Sequence, residues 1–142
     1  MVHARDDPTS SQYHPYWYAQ IIGIYHAYVE HQQPSGMVMP PQLMNFLWVR
    51  WFGKDLTYRS GPQARRLDHI GFVTDSDDTE PFSFLDPAYI IRAVHLILAF
   101  AYGQTDELLL GPSIARHDQK STVDWKYYYV NRCVTTIGAM YK

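Results

Sequence analysis

Cysteine is almost absent: Cys133 stands alone among 142 residues. No internal disulfide can brace the fold, and an intracellular, reducing location is the simpler assumption. Charge is sparse too. Ionisable side chains of Asp, Glu, Lys and Arg make up 18% of the chain, below the usual share of about a quarter. A net charge of −2 gives no strong field to steer the molecule toward phosphate backbones. Long apolar runs are missing, since even Ala88 to Tyr102 is broken by Arg92 and His95. The segment Met1 to His14 is polar, so no secretory leader is expected there. A glycine-rich phosphate loop, a CxxC pair, an HExxH helix and a GxSxG elbow are all lacking, which removes the enzyme classes that such motifs mark. No catalytic residue, metal or cofactor is expected.

What the chain has in abundance is rings. Apolar residues reach 46% and aromatics 15%, with 12 tyrosines and four tryptophans. So many amphipathic rings exceed what a core of this size hides easily, which places some of them on a groove or an interface. The length suits a single domain. Residues 1–13, with Asp6-Asp7-Pro8, Ser10 and Ser11, read as a flexible arm, and residues 14–142 as one β-rich domain.

Tyr16 to Glu30 alternates with period two and predicts a long strand, with Gly23 the natural place for a bulge. Gln33-Pro34-Ser35-Gly36 is a turn, and a strand over 43–52 pairs most simply with the first as an antiparallel neighbour. Leu67 to Val73 gives a third strand. Asp86-Pro87 suits the N-cap and first position of one short helix, followed by a strand over 94–98. Gly103 to Lys120 reads as loop, and Trp125 to Val134 as a last strand. Five strands, one short helix and no βαβ repeat predict a mostly β fold, a small barrel.

Within Phe46-Leu47-Trp48-Val49-Arg50-Trp51-Phe52 the strand is apolar on both faces, as a central strand should be. Arg50 is the exception. A guanidinium there requires a partner, because an unpaired charge in low dielectric costs several kcal/mol. Asp68, Asp86 and Glu30 are the candidate carboxylates by pattern.

Other polar groups carry weaker signals. His26, Glu30 and His31 lack metal-ligand spacing, and Asp75, Asp77 and Asp78 lack the glycine and distal glutamate of a calcium loop. Cys133, with His95 or His117 as base, has nothing local to activate it. Two sets remain. Tyr16, Tyr18 and Trp48 are the expected lining of a ligand-binding groove. Trp17 and Trp51 are assigned to the core, because the Trp17 face also carries Ala19, Gly23 and Ala27. Lys54, Arg59, Arg65 and Arg66 flank a loop and form the alternative, a nucleic-acid-binding set.

The ordered blocks His14-Pro15-Tyr16-Trp17-Tyr18-Ala19, Phe46 to Gly53, Arg66 to Val73, Phe84-Leu85-Asp86-Pro87, Ile91 to Ile97, Leu110 to Arg116 and Trp125 to Asn131 resemble the C-terminal region of fungal Plavaka-type transposon proteins. In that family the presumed strand-transfer chemistry belongs to an RNase H-like portion upstream, so the resemblance implies no catalytic residue here. Cys133 to Gly138 departs from the acidic and basic run usual in the family. The layout is also similar to a bromo-adjacent homology or other SH3-like chromatin module. The expectation is a non-enzymatic interaction module of transposon origin, in the nucleus, that binds a protein partner such as a methylated histone tail through an aromatic groove. A nucleic-acid-binding module and an inactive transposase-derived fragment are the alternatives.

Overall fold

The computed structural model describes residues 1–5, 9, 14–74 and 80–132. The acidic turn 75–78 and Cys133 therefore lie outside the described residues, as does most of the expected arm. Nine strands appear among the described residues, in chain order: β1 (Val2–His3), β2 (Tyr16–Val29), β3 (Gln42–Lys54), β4 (Asp68–Phe72), β5 (Phe82–Leu85), β6 (His95–Leu98), β7 (Gln104–Thr105), β8 (Asp124–Trp125) and β9 (Tyr128–Asn131). The main sheet runs in the order β1-β2-β3-β4-β9-β6, with β5 also on β3, and every pairing in it is antiparallel. β7 and β8 form a separate two-stranded ladder.

The mostly β expectation holds, and the antiparallel pairing of the first two long strands holds with it. The barrel, however, is not closed by a continuous ladder. β1 and β6 are the two ends of the sheet, and the segment between them meets the β1 edge through the isolated bridge of Val2 with Ile90, the Ile91 N–H on the Met1 carbonyl at 3.0 Å and the Met1 amino group on the Arg92 carbonyl at 3.2 Å. Val2 and His3, assigned by sequence to the arm, instead pair with Trp17 and Tyr16. The short helix after Asp86 is a single 3₁₀ turn over Pro87–Tyr89, capped as expected by the Asp86 carboxylate, which accepts from the Ala88 N–H at 2.8 Å. Its C-cap, Ile90, returns at once to extended backbone, so no α-helical bond ladder follows. The last expected strand is split into β8 and β9.

The bulge falls where glycine allowed it. Register slips between Ile21 and Gly23, and a Cβ on Gly23 would lie 2.5 Å from the Tyr25 ring. That slip reverses the facing of everything after it. Tyr18 and Gln20 share a face with Phe52 and Arg50, but past the bulge it is Gly23 and Tyr25 that sit opposite Trp48 and Phe46. Gly71 is fixed by a different closeness: a Cβ there would stand 2.7 Å from the Lys126 carbonyl oxygen.

β3 is central, as its two apolar faces require. One face packs Tyr18, Phe52, Ile70, Phe72 and Val130, and the other packs Val2, Leu47, Val49 and Leu85. Arg50 lies in the first face, 1% exposed. Its two terminal nitrogens donate to the two carboxylate oxygens of Asp124 at 3.0 and 3.1 Å, and its guanidinium lies 3.7 Å from the Phe72 ring centre. Burial and pairing with a carboxylate were legible in sequence; the partner was not. Asp68 is engaged elsewhere, Asp86 caps the 3₁₀ turn and Glu30 is exposed. Asp124 also accepts from Arg116 at 2.9 Å, and Arg116 in turn donates to the carbonyls of Leu109, Gly111 and Ser121. One carboxylate thus ties the central strand to the loop ahead of β8.

Removing Arg50 leaves Asp124 paired with Arg116, whereas removing Asp124 strands two buried guanidiniums. Arg50→Ala should cost about 3 to 5 kcal/mol and Asp124→Ala more than that. Denaturant melts of both variants check the order, and a variant of either residue as stable as the parent would refute it.

Candidate functional site

A cavity of about 1100 Å³ opens between β1, the start of β2, the end of β3 and the segment 83–91. Apolar walls come from Trp17, Trp51, Leu85 and Ile90, and its polar fringe includes Arg5, His14, Lys54 and Glu80. Trp17 and Trp51 meet edge to face with centroids 5.9 Å apart, and the Trp51 indole N–H donates to Ser83 at 2.7 Å. That bond anchors Trp51 from β5 and leaves the ring half-buried beside the opening. Tyr89 at the mouth is exposed, with the Arg5 guanidinium 5.2 Å from its ring centre.

Of the expected lining, Tyr16 and Tyr18 border this cavity and Trp48 does not. Tyr18 is 3% exposed, a core residue whose hydroxyl donates to Asp68 at 2.9 Å. Its burial follows from its place opposite Phe52 in the register of β2 with β3. Trp48 is elsewhere. It belongs to a ladder of rings with Phe82 at 6.0 Å and Phe84 at 4.7 Å, continued by Phe46 and Tyr25. Trp17 and Trp51, assigned to the core, are the half-buried rings that face the cavity while packing on Val2, Leu47, Val49 and Leu85. The argument from small residues on the Trp17 face failed because the bulge carries Gly23 and Ala27 to the opposite face.

Two histidine–carboxylate pairs went unnoticed in sequence, and adjacent residues of β4 supply one member of each. Asp68 points to one face and accepts from His14 Nε2 at 3.1 Å, from Tyr18 and from Arg132. His14 Nδ1 sits 2.8 Å from the Tyr16 carbonyl oxygen and 3.2 Å from its N–H, so both ring nitrogens are engaged within the protein. Burial opposes ionisation of Asp68, but the hydrogen bonds from His14, Arg132 and Tyr18 outweigh it and hold the carboxyl well below the usual range. Burial, then the Asp68 charge, pushes the Tyr18 hydroxyl up. Burial and the charge of Asp124 likewise push Tyr128 up to about 12, against the pull of Arg50.

His69 points the other way. Its Nδ1 lies 2.9 Å from Asp55, and the rings of Tyr58, Tyr102, Tyr127 and Tyr129 surround it at centroid distances of 4.4, 4.8, 4.4 and 5.1 Å. This four-ring box is already filled by the protein's own imidazole, which is buried. The only signal for it in sequence is the density of tyrosine in 127–129.

Lys54, Arg59, Arg65 and Arg66 are all exposed, and none makes an ion pair among the described residues. Arg65, with φ 50, ends the 3₁₀ turn Pro62–Ala64 in the left-handed region, and Arg66 lies 5.7 Å from the Tyr58 ring centre. The loop places Arg65 and Arg66 side by side, while Lys54 closes β3 and borders the cavity. No group of three or more metal-ligating side chains gathers among the described residues, and no helix there is long and apolar enough to cross a membrane. The chain matches no family model, no curated protein and no solved structure.

The depressed Asp68 has a signed consequence. An unfolded aspartate takes up its proton near pH 3.9, before the folded one does, so Asp68 stabilises the fold above about pH 4 and loses that effect as pH falls further. Asp68→Asn should therefore be less stable than the parent at neutral pH, with the gap closing between about pH 4 and pH 2. Thermal melts across that range test it; a gap independent of pH would contradict the assignment.

Proposed function

We propose that this domain is a non-enzymatic protein-interaction module whose cavity takes apolar side chains of an extended peptide. The observation that supports this reading most is the pair Trp17 and Trp51, half-buried at the wall of a cavity of about 1100 Å³. That volume is close to the upper end of ligand sites, and rings with mixed polar groups at the edge are what anchors a short segment. His14 at the cavity edge is held as a structural group, because both its nitrogens are engaged by Asp68 and Tyr16. An apolar anchor is favoured over a methylammonium, because the one complete ring box among the described residues holds His69. The transposon origin and the nuclear, chromatin setting rest on the resemblance of the sequence blocks alone.

Tyr89 is the residue to alter, since it is exposed at the mouth and absent from both apolar clusters. Peptides bearing an aromatic or aliphatic anchor should shift the emission of Trp17 and Trp51, and Tyr89→Ala should weaken them about tenfold or more while melting like the parent. Methylated and unmodified histone-tail peptides form the second arm. No emission change with any peptide at millimolar concentration would overturn the proposal.

The four exposed cations at 54–66, which make no ion pair among the described residues, favour a second reading, a nucleic-acid contact. Binding of this kind weakens steeply with salt, and replacing Arg65 and Arg66 by alanine should flatten the salt slope by up to about two. A parent chain that binds neither DNA nor RNA at low salt removes this reading.

A further inference from the structure

The outer part of the β2–β3 hairpin is a ribbon with no further strand paired to it among the described residues, although Phe84 of β5 packs on its Phe46. β1 covers the far edge of β2 only at Tyr16 and Trp17. β5 and β4 cover the far edge of β3 only at 47–50 and 52–54. From Ile24 to Val29, and from Gln42 to Phe46, both strands have one paired edge and one open edge. Both faces are apolar and exposed as well: Ile24 is 76% and Tyr28 74% exposed on one, with Tyr25 and Val29 on the other. A two-stranded ribbon is marginal in water, and an open apolar edge is a template for another strand.

The two edges are not equally open. Pro40 and Pro41 lead into β3, and a residue without an N–H blunts an edge. β2 has no such guard. It contains neither proline nor a charged residue, and from Tyr16 to Val49 the only charged side chain is that of Glu30. Such a surface offers a charged partner nothing to recognise, and a second copy of itself nothing to repel.

We propose that the open edge of β2 pairs antiparallel with the same edge of a second copy of this chain, giving a two-fold dimer with a continuous β3-β2-β2-β3 sheet. The register follows from the pleat. Side chains of the two copies share faces only if paired residue numbers within 23–29 sum to an even number. The pairing that uses that whole run is centred on His26. It sets His26 against His26 of the second copy, Ile24 against its Tyr28, Tyr25 against its Ala27 and Gly23 against its Val29. The two most exposed large apolar side chains of the strand would then cover each other, which isologous symmetry does twice. The surface is separate from the cavity, so this inference stands or falls independently of the peptide reading.

Symmetry supplies the test, because only a residue on the axis meets its own copy. In a Cys133→Ser background, His26→Cys should give a covalent dimer on mild oxidation. Ile24→Cys alone and Tyr28→Cys alone should stay monomeric on a denaturing gel, while an equal mixture of the two should cross-link. All three positions are exposed, so the fold should survive each change, which circular dichroism checks. Sedimentation of the parent at about 100 µM should show a dimer that Tyr28→Lys dissociates at least tenfold more readily. A parent that sediments as a monomer, or cysteines that cross-link equally at 24, 26 and 28, would overturn the proposal.

Discussion

Asp124 holds two guanidiniums at once, and the arrangement of the rest of the sheet hangs on that contact. Arg50 comes from the middle of the central strand and Arg116 from the loop ahead of β8, each within 3.1 Å of the carboxylate. Neither arginine is stable in that place without the carboxylate, and the carboxylate offsets its own desolvation only by having both. The stacking of Arg50 on Phe72 adds a ring face to the charged contact. Because a bidentate pair fixes direction as well as distance, the orientation of β3 relative to β8 and β9 is set there.

The direction of Arg50 decides what its neighbours do. Successive side chains of a strand point to opposite faces, so with Arg50 committed inward, Trp51 must stand on the other face, against Trp17 and Ser83. That face borders the cavity. On β4 the same alternation sends Asp68 toward His14, Tyr18 and Arg132 and sends His69 into the tyrosine box. The buried groups Arg50, Asp68, His69 and Asp124 therefore join segments far apart in sequence. The exposed surface of the described residues carries both the cations Lys54, Arg59, Arg65 and Arg66 and the apolar side chains of the β2–β3 ribbon.

Local physics made the long strands legible. Period two in Tyr16 to Val29, an apolar run on both faces around Val49, and a capping aspartate ahead of Pro87 all depend on near neighbours, and all appear where the sequence places them. The bulge at Gly23 was legible as a place but not as a consequence, since a one-residue slip inverts the facing of every later side chain. The small residues Gly23 and Ala27 thereby leave the face of Trp17, and the argument that puts Trp17 in the core goes with them. Tyr18 illustrates the other limit: its burial is decided by Phe52 and Asp68, 34 and 50 positions away. The partner of Arg50, separated by 74 positions, is a matter of topology that no pattern within β3 carries.

The central claim is that Arg50 and Asp124 act on each other, and through that pair fix the central strand. A double-mutant cycle measures this most directly, using Arg50→Met, Asp124→Asn and the combined variant in denaturant melts. The account predicts a coupling energy above about 2 kcal/mol, with the double variant more stable than the two single losses would sum to. Additive losses, with a coupling below about 0.5 kcal/mol, would contradict it.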